Sequence, residues 1–171
     1  FMDCPVSGGE PKAIDGTLAF MCGGSQEDYD AISPYLGQMG ASSILVGDIG
    51  SGSVAKLTNQ IIVNMSIAAI SEAFTLAVKA GAAPEKVYRA IRGGLAGSTV
   101  LDAKLPMMIE RNFTPGGKLS INHKDIKNAI STAHAIGVPL PLTAQLFEIM
   151  QSLRVSGHMD EDHSCIVQYY E

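Results

Sequence analysis

Gly50-Ser51-Gly52-Ser53-Val54-Ala55-Lys56-Leu57-Thr58-Asn59-Gln60-Ile61 is the stretch at which this sequence changes character. Before it, short apolar runs alternate with glycines. After it, Val54, Leu57, Ile61, Met65, Ala68, Ala69, Phe74, Leu76 and Val78 recur at helical spacing without a break as far as Gly81. One helix of about 30 residues, roughly 45 Å long, is predicted. Such a length exceeds that of an ordinary globular helix and suits an axial helix shared by two domains or two subunits. The opening letters match G-x-G-x-x-G/A, the turn that receives a dinucleotide pyrophosphate. Their context argues otherwise: that turn needs a second parallel strand some ~30 residues on, with an acidic residue about 20 residues downstream, and a single helix fills the interval here. The glycines are better read as tight backbone that lets a ligand approach the helix start.

Working outward toward the N-terminus, residues 1–50 read as strand and turn, then strand, helix and strand. Thr17-Leu18-Ala19-Phe20-Met21-Cys22 is an apolar run closed by Gly23-Gly24. Ser25, with Asp28 three residues on, opens a helix whose apolar positions Tyr29, Ile32, Tyr35, Leu36 and Met39 run up to a stop at Gly40. Ser43-Ile44-Leu45-Val46 is the next strand. Toward the C-terminus four further helices are predicted over 84–92, 98–111, 121–136 and 141–156, with glycines as the stops between them. A short last helix follows from Ser164. The fold class is therefore an α/β remnant over 1–50 followed by an all-α domain over 51–171 built on one long helix. Three strands and one helix leave sheet edges awaiting partners, so the chain reads as the C-terminal portion of a longer protein.

Composition narrows the function. With 171 residues, 46% hydrophobic and 17% charged, the chain can bury a real core. A formal net charge of −5, scattered cations and no Trp speak against a nucleic-acid partner. Cys4, Cys22 and Cys165 make an odd count without metal-ligand spacing, which fits a reducing, cytoplasmic compartment. The opening Phe1-Met2-Asp3-Cys4-Pro5 lacks the basic start of a signal peptide and reads as the interior of an element. The apolar span 61–78 carries Asn64, Ser66, Ser71, Glu72 and Thr75, whereas a membrane helix needs ~20 nearly uncharged residues. A buried helix is expected, and no membrane partner.

Candidate site residues have two readings each. Lys56, Asn59 and Gln60 project from one side of the long helix, where a cation and two amides can hold an oxygen-rich substrate. From spacing alone a solvated lysine is the simpler reading. Ser7-Gly8-Gly9 can cup a carboxylate with a hydroxyl and freed backbone N–H groups, or can be an ordinary turn. Lys124, in His123-Lys124-Asp125, reaches a nucleotide or is merely solvated. His158, Asp160, Glu161, Asp162 and His163 read as an acidic loop capping the final helix, and no metal is expected there. The cysteines have no base nearby in sequence and are expected to be small buried side chains.

Asp3-Cys4-Pro5-Val6-Ser7-Gly8-Gly9, then Gly16-Thr17-Leu18, then Gly47-x-x-Gly50-x-Gly52-x-x-x-Lys56, then Lys124-Asp125, in this order and spacing, resemble the β-hydroxyacid dehydrogenase family. The resemblance covers essentially the whole chain. It implies a Rossmann-type domain for NAD(H) or NADP(H), of which 1–50 would be the C-terminal remnant, and an all-helical substrate and dimerisation domain. It further implies that Lys56 is the catalytic lysine and that Ser7, Gly8 and Gly9 bind the substrate carboxylate. Asn59 or Gln60 would hold the substrate beside Lys56, and Lys124 would contact the cofactor. Relatives often carry Asn four residues after the lysine, where this chain has Gln60 and, one residue earlier, Asn59. The implied substrate is a small 3-oxo acid, and a homo-oligomer through the helical domain is expected. The family's dinucleotide turn precedes the motifs present here, so this chain alone is expected not to hold the cofactor tightly. Rival readings are a different aldehyde acid as substrate, or a non-catalytic helical dimerisation module.

Overall fold

The computed structural model describes residues 1–171, which divide into two compact units, Phe1–Asn59 and Gln60–Glu171.

The first unit holds a three-stranded sheet in the order β1 (Val6–Ser7), β2 (Leu18–Gly23), β3 (Gly40–Gly47). β1 runs antiparallel to β2, with Val6 opposite Phe20, and β3 runs parallel to β2. A helix α1 (Gly9–Ile14) lies between β1 and β2, and α2 (Gln26–Leu36) links the parallel pair. Ser25 caps α2 as its spacing predicts: Ser25 Oγ accepts from the Asp28 N–H at 3.1 Å and donates to the Asp28 carboxylate at 2.9 Å. Phe20, Cys22 and Leu36 form the buried centre, with Cys4, Val6, Leu18, Tyr29, Ile32 and Leu45 packed around them. Tyr29 donates its hydroxyl to the Ser43 carbonyl at 2.7 Å, tying α2 to β3.

Two sequence expectations are corrected here. α2 stops at Leu36, not at Gly40, because a turn over Gly37–Met39 intervenes and Gly40 is the first residue of β3. A Cβ on Gly40 would lie 2.4 Å from the Leu18 carbonyl oxygen, so the glycine permits close strand approach and does not serve as a helix stop. The α1 helix was not expected at all. None of its residues is buried, so it carries no apolar period to read, and Pro11 in its first turn needs no N–H partner.

α3 (Ser51–Lys79) spans the predicted long helix and contributes residues to both units. By length and composition it is apolar enough to cross a membrane. Its Asn64 and Ser71, however, are fully buried within the second unit, where Ile67, Ala68 and Phe74 enter the hydrophobic core. The remaining helices are α4 (Pro84–Ile91), α5 (Thr99–Glu110), α6 (Leu119–Ala135) and α7 (Pro141–Val155). They match the expected spans to within two residues at each end. Pro84 and Pro141 open their helices, and Ser98 caps α5 by accepting from the Leu101 N–H at 3.0 Å. A 3₁₀ turn, His163–Ile166, runs into α8 (Val167–Tyr170). Leu101, Leu105, Leu119, Ile126, Leu146, Met150 and Ile166 close the core, each at most 1% exposed.

Candidate active site

The start of α3 is organised by a residue far away in sequence. Asp3 directs its carboxylate at the helix N-terminus: Oδ1 accepts from the Gly50 N–H at 2.7 Å, and Oδ2 from the Ser53 N–H at 2.6 Å and the Ser53 hydroxyl at 2.8 Å. Burial pushes the Asp3 carboxyl up, but these bonds outweigh it and hold the group below its usual range. A Cβ on Gly52 would meet the Met21 carbonyl oxygen at 2.4 Å and that of Asp3 at 2.7 Å. Tight backbone is found as expected at Gly52, where the neighbours are the protein's own backbone and the Asp3 carboxylate, whereas a Cβ on Gly50 would meet nothing within 4 Å. An anion at this helix end is favoured by the helix dipole, and here the anion is built in.

Lys56 and Asn59 follow on the next turns of α3, both half-buried. Ser7 ends β1 and is half-buried, while Gly8 and Gly9 are exposed and have φ of 134° and 64°. Both glycines are thus in conformations that L side chains avoid, and a Cβ on Gly8 would lie 2.4 Å from Lys12 Cβ. The turn carries one hydroxyl, on Ser7, followed by two glycines whose backbone is exposed.

In the second unit Gln60 is only 7% exposed. Its amide nitrogen donates to Asn122 Oδ1 at 3.2 Å and Asp125 Oδ2 at 2.8 Å. One turn along, Asn64 donates to the Gln60 carbonyl at 2.8 Å and to the same Asn122 oxygen at 3.1 Å. Asn64 Oδ1 lies 3.1 Å from His163 Nδ1, and since the Asn64 nitrogen is already spent as a donor, the network assigns the proton to Nδ1. Burial, then the Lys104 charge, push the His163 imidazole down to about 4 against the opposing pull of Asp162, so it is neutral at physiological pH.

Asp162 is fully buried and anchors this end of the unit. It pairs with the ammonium of Lys104 at 2.9 Å and accepts from the N–H groups of Gly116, Gly117 and Ser164 at 3.0, 2.9 and 3.0 Å. Burial raises its carboxyl, but the Ser164 and Lys104 hydrogen bonds and the nearby positive charge more than offset that, and the net shift is downward. The acidic loop thus caps the final helical segment through Asp162, while His158 pairs with Glu161 at 3.0 Å and Asp160 with Lys118 at 2.9 Å.

Lys124 stands near the start of α6 with its side chain 66% exposed, 3.2 Å from the Asp125 carboxylate. An exposed ammonium of this kind fits a dinucleotide's phosphate or amide oxygens. The structure therefore joins Asp125, next to Lys124, to Gln60 on the long helix, and within the first unit sets Lys56 and Asn59 beyond an Asp3-capped helix start. Sequence reasoning assigned no role to Asp3, Asn64 or Asn122 and did not foresee the His163–Asn64 contact or the Lys104–Asp162 pair. The one available signal was polarity at positions whose helical period is otherwise apolar, as at Asn64.

Comparison with known proteins follows this geometry. Residues 50–170 match the family described as NAD-binding of NADP-dependent 3-hydroxyisobutyrate dehydrogenase. Residues 1–47 match the NAD binding domain of 6-phosphogluconate dehydrogenase. The chain is 40% identical over 171 residues to the 2-hydroxy-3-oxopropionate reductase of Escherichia coli (strain K12), covering 100% of this chain and 59% of that one. It superposes on 3-hydroxyisobutyrate dehydrogenase of Mycobacterium tuberculosis with L-serine at TM-score 0.90 and 29% identity, over 98% of this chain and 60% of that one. The Salmonella typhimurium 3-hydroxyisobutyrate dehydrogenase superposes at TM-score 0.89 and 28% identity, over 98% and 59%. This chain spans less than two thirds of the length of each of these relatives.

Proposed function

We infer, from the premise that this chain belongs to the NADP-dependent 3-hydroxyisobutyrate dehydrogenase family of β-hydroxyacid dehydrogenases, that it serves NAD(P)H-dependent reduction of tartronate semialdehyde to D-glycerate. The observation that carries the substrate choice is the identity to a 2-hydroxy-3-oxopropionate reductase along the entire chain. Glyoxylate, succinic semialdehyde and the 3-hydroxyisobutyrate couple are competing substrates of the same chemistry.

In this reading residues 1–50 belong to the nucleotide-binding domain and 51–171 form the substrate and dimerisation domain. Lys56 holds the proton. A lysine with a reference pKa of ~10.4 is protonated at neutral pH and can deliver that proton to the carbonyl oxygen as it gains charge. NADH or NADPH, when bound, supplies the hydride. Ser7 with the Gly8 and Gly9 backbone N–H groups orients the substrate carboxylate. Asn59 or Gln60 holds the substrate beside Lys56, and the Gln60 nitrogen also donates to Asn122 and Asp125. Lys124 contacts the cofactor. The protein is proposed to be cytoplasmic and a homo-oligomer through its helical domain, with no membrane or nucleic-acid partner. Exposed apolar residues on α3, Ile62 at 59%, Leu76 at 71% and Val78 at 53%, support the oligomer.

The experiment is a panel of aldehyde acids assayed with NADH and NADPH on the protein carrying a complete nucleotide-binding domain, as wild type and as Ser7→Ala. Tartronate semialdehyde should give the highest kcat/KM, and Ser7→Ala should raise its KM. Ser7 is the right probe, since a side chain at Gly8 would collide with Lys12 whatever the substrate. A higher kcat/KM for another acid would transfer the substrate assignment to it. Absence of turnover with every aldehyde acid and both cofactors in the protein with a complete nucleotide-binding domain would sink the enzymatic reading, whereas the 171-residue chain alone is expected to be silent.

A further inference from the structure

The first unit brings together two thiols that lie 18 residues apart in the chain. The antiparallel register pairs Val6 with Phe20 and, nearer the chain start, Asp3 with Gly23. Cys4 therefore stands directly opposite Cys22. Asp3 and Gly23 exchange both of their hydrogen bonds, at 3.0 and 2.8 Å, and Met21 donates to the Pro5 carbonyl at 3.0 Å. Alternation along an antiparallel ladder then makes Cys4 and Cys22 a non-hydrogen-bonded pair, the class whose Cα atoms approach to about 4.5 Å. That separation lies at the near edge of the ~4.4–6.8 Å range that a disulfide spans. Residues opposite one another project from the same face of a sheet, and Cys4 and Cys22 do pack in the same cluster beside Phe20 and Leu36.

We propose that Cys4 and Cys22 are a redox-modification site, at which a peroxide oxidises the two thiols to a cross-strand disulfide. Cys4 is half-buried and Cys22 fully buried, so the oxidant meets Cys4 first. Its sulfur attacks one peroxide oxygen: an S–O bond forms, the O–O bond breaks, and the departing hydroxide leaves as water with the Cys4 proton. The Cys22 sulfur then attacks the Cys4 sulfenic acid. The S–S bond forms as the S–O bond breaks, and the hydroxide released takes the Cys22 proton to give a second water. Two thiols lose two electrons to one peroxide, and a dithiol reductant reverses the change. Burial, and after it the Cys4 thiol alongside, push Cys22 up to about 11, so Cys22 is not the thiol that attacks the peroxide first. Cys165 is an internal control: it is fully buried, its thiol is pushed up to about 12 by burial and by Glu161 and Asp162, and it lies in the other unit.

The site needs no catalytic activity to test. The folded protein is treated with hydrogen peroxide, denatured, alkylated and digested with trypsin, which cuts after Lys12 and Lys56 and so places the two thiols on separate peptides, 1–12 and 13–56. The expected product is a single species joining these peptides, which dithiothreitol separates, with Cys165 fully alkylated. In Cys22→Ala the linked species should vanish and Cys4 should proceed to the sulfinic acid. In Cys4→Ser, a change at the half-buried position, Cys22 should remain alkylatable. Over-oxidised Cys4 beside a free Cys22 in the wild type, thiols that all stay alkylatable at peroxide exposures that consume free cysteine, or a link that involves Cys165 would each overturn the proposal.

Discussion

Lys56 and His163 illustrate how much the setting of a single residue decides. Lys56 is half-buried on the turn after an Asp3-capped helix start, a position that holds the ammonium on a rigid element. If it is the proton donor, Lys56→Ala should lower kcat by at least ~100-fold, the lower end of what a positioned acid or base supplies. Steady-state kinetics at saturating aldehyde and cofactor, on the protein with a complete nucleotide-binding domain, check this, and unchanged turnover would remove Lys56 from the mechanism. His163 makes a different prediction. Its folded value of about 4 lies below the unfolded ~6.5, so the unfolded chain takes up a proton first as the medium is acidified. The stability this histidine contributes is complete above pH ~6.5 and is lost as pH falls through about 4, by up to ~3 kcal/mol. Tm measured from pH 7 to pH 4 should therefore fall less steeply in His163→Gln than in wild type. Parallel curves would mean that the imidazole does not titrate in this window.

Among the elements, α3 shows both what local sequence carries and what it does not. Its span was legible because apolar residues recur along it at helical spacing, each repeat carried by residues close in the chain, although the expected burial is only partial: Val54, Ala69, Leu76 and Val78 of that set are exposed. The same holds for α2, α4, α5 and α7, whose Ser and Pro starts act within three residues. The α3 cap was illegible because its acceptor, Asp3, lies 47 residues before Gly50. Asp3→Ala should strip three hydrogen bonds from the helix start and destabilise the protein by about 1–2 kcal/mol, the upper part of the usual capping range. A urea midpoint equal to that of wild type would show that water replaces the carboxylate there. α1 was illegible for the opposite reason: with no residue buried, nothing in its pattern distinguishes it from a glycine turn.

At the scale of the whole molecule, the helical unit leaves apolar surface uncovered. A cleft of about 670 Å³ is lined by Met65, Leu76, Leu142, Ile149 and Tyr170, and Leu76 is 71% exposed. A second copy covering this face would bury what a monomer leaves in water. Sedimentation at micromolar concentration should give a mass at least twice 18.0 kDa for this chain, and Leu76→Glu should shift it toward the monomer. A single 18.0 kDa species in the wild type would refute self-association through this unit.

The amino-acid sequence by itself determined the change from α/β to all-α near residue 50, the helices of the second unit, the family, and the candidates Ser7, Gly8, Gly9, Lys56, Asn59, Gln60 and Lys124. These rest on periods, caps and motif spacings, all of which are relations between near neighbours in the chain. Tertiary structure alone decided that Asp3 closes the α3 N-terminus and that Gly52 makes room for protein backbone. It also paired Lys104 with Asp162 across 58 residues and Asn64 with His163 across 99, and set Cys4 opposite Cys22. For the polar pairs the physical reason is the same, while Gly52 and the two cysteines follow from how closely and in what register distant backbone packs. A polar group taken out of water must find a partner or lose free energy, and its partner is whichever group packing brings within reach, a choice that short-range sequence pattern does not encode.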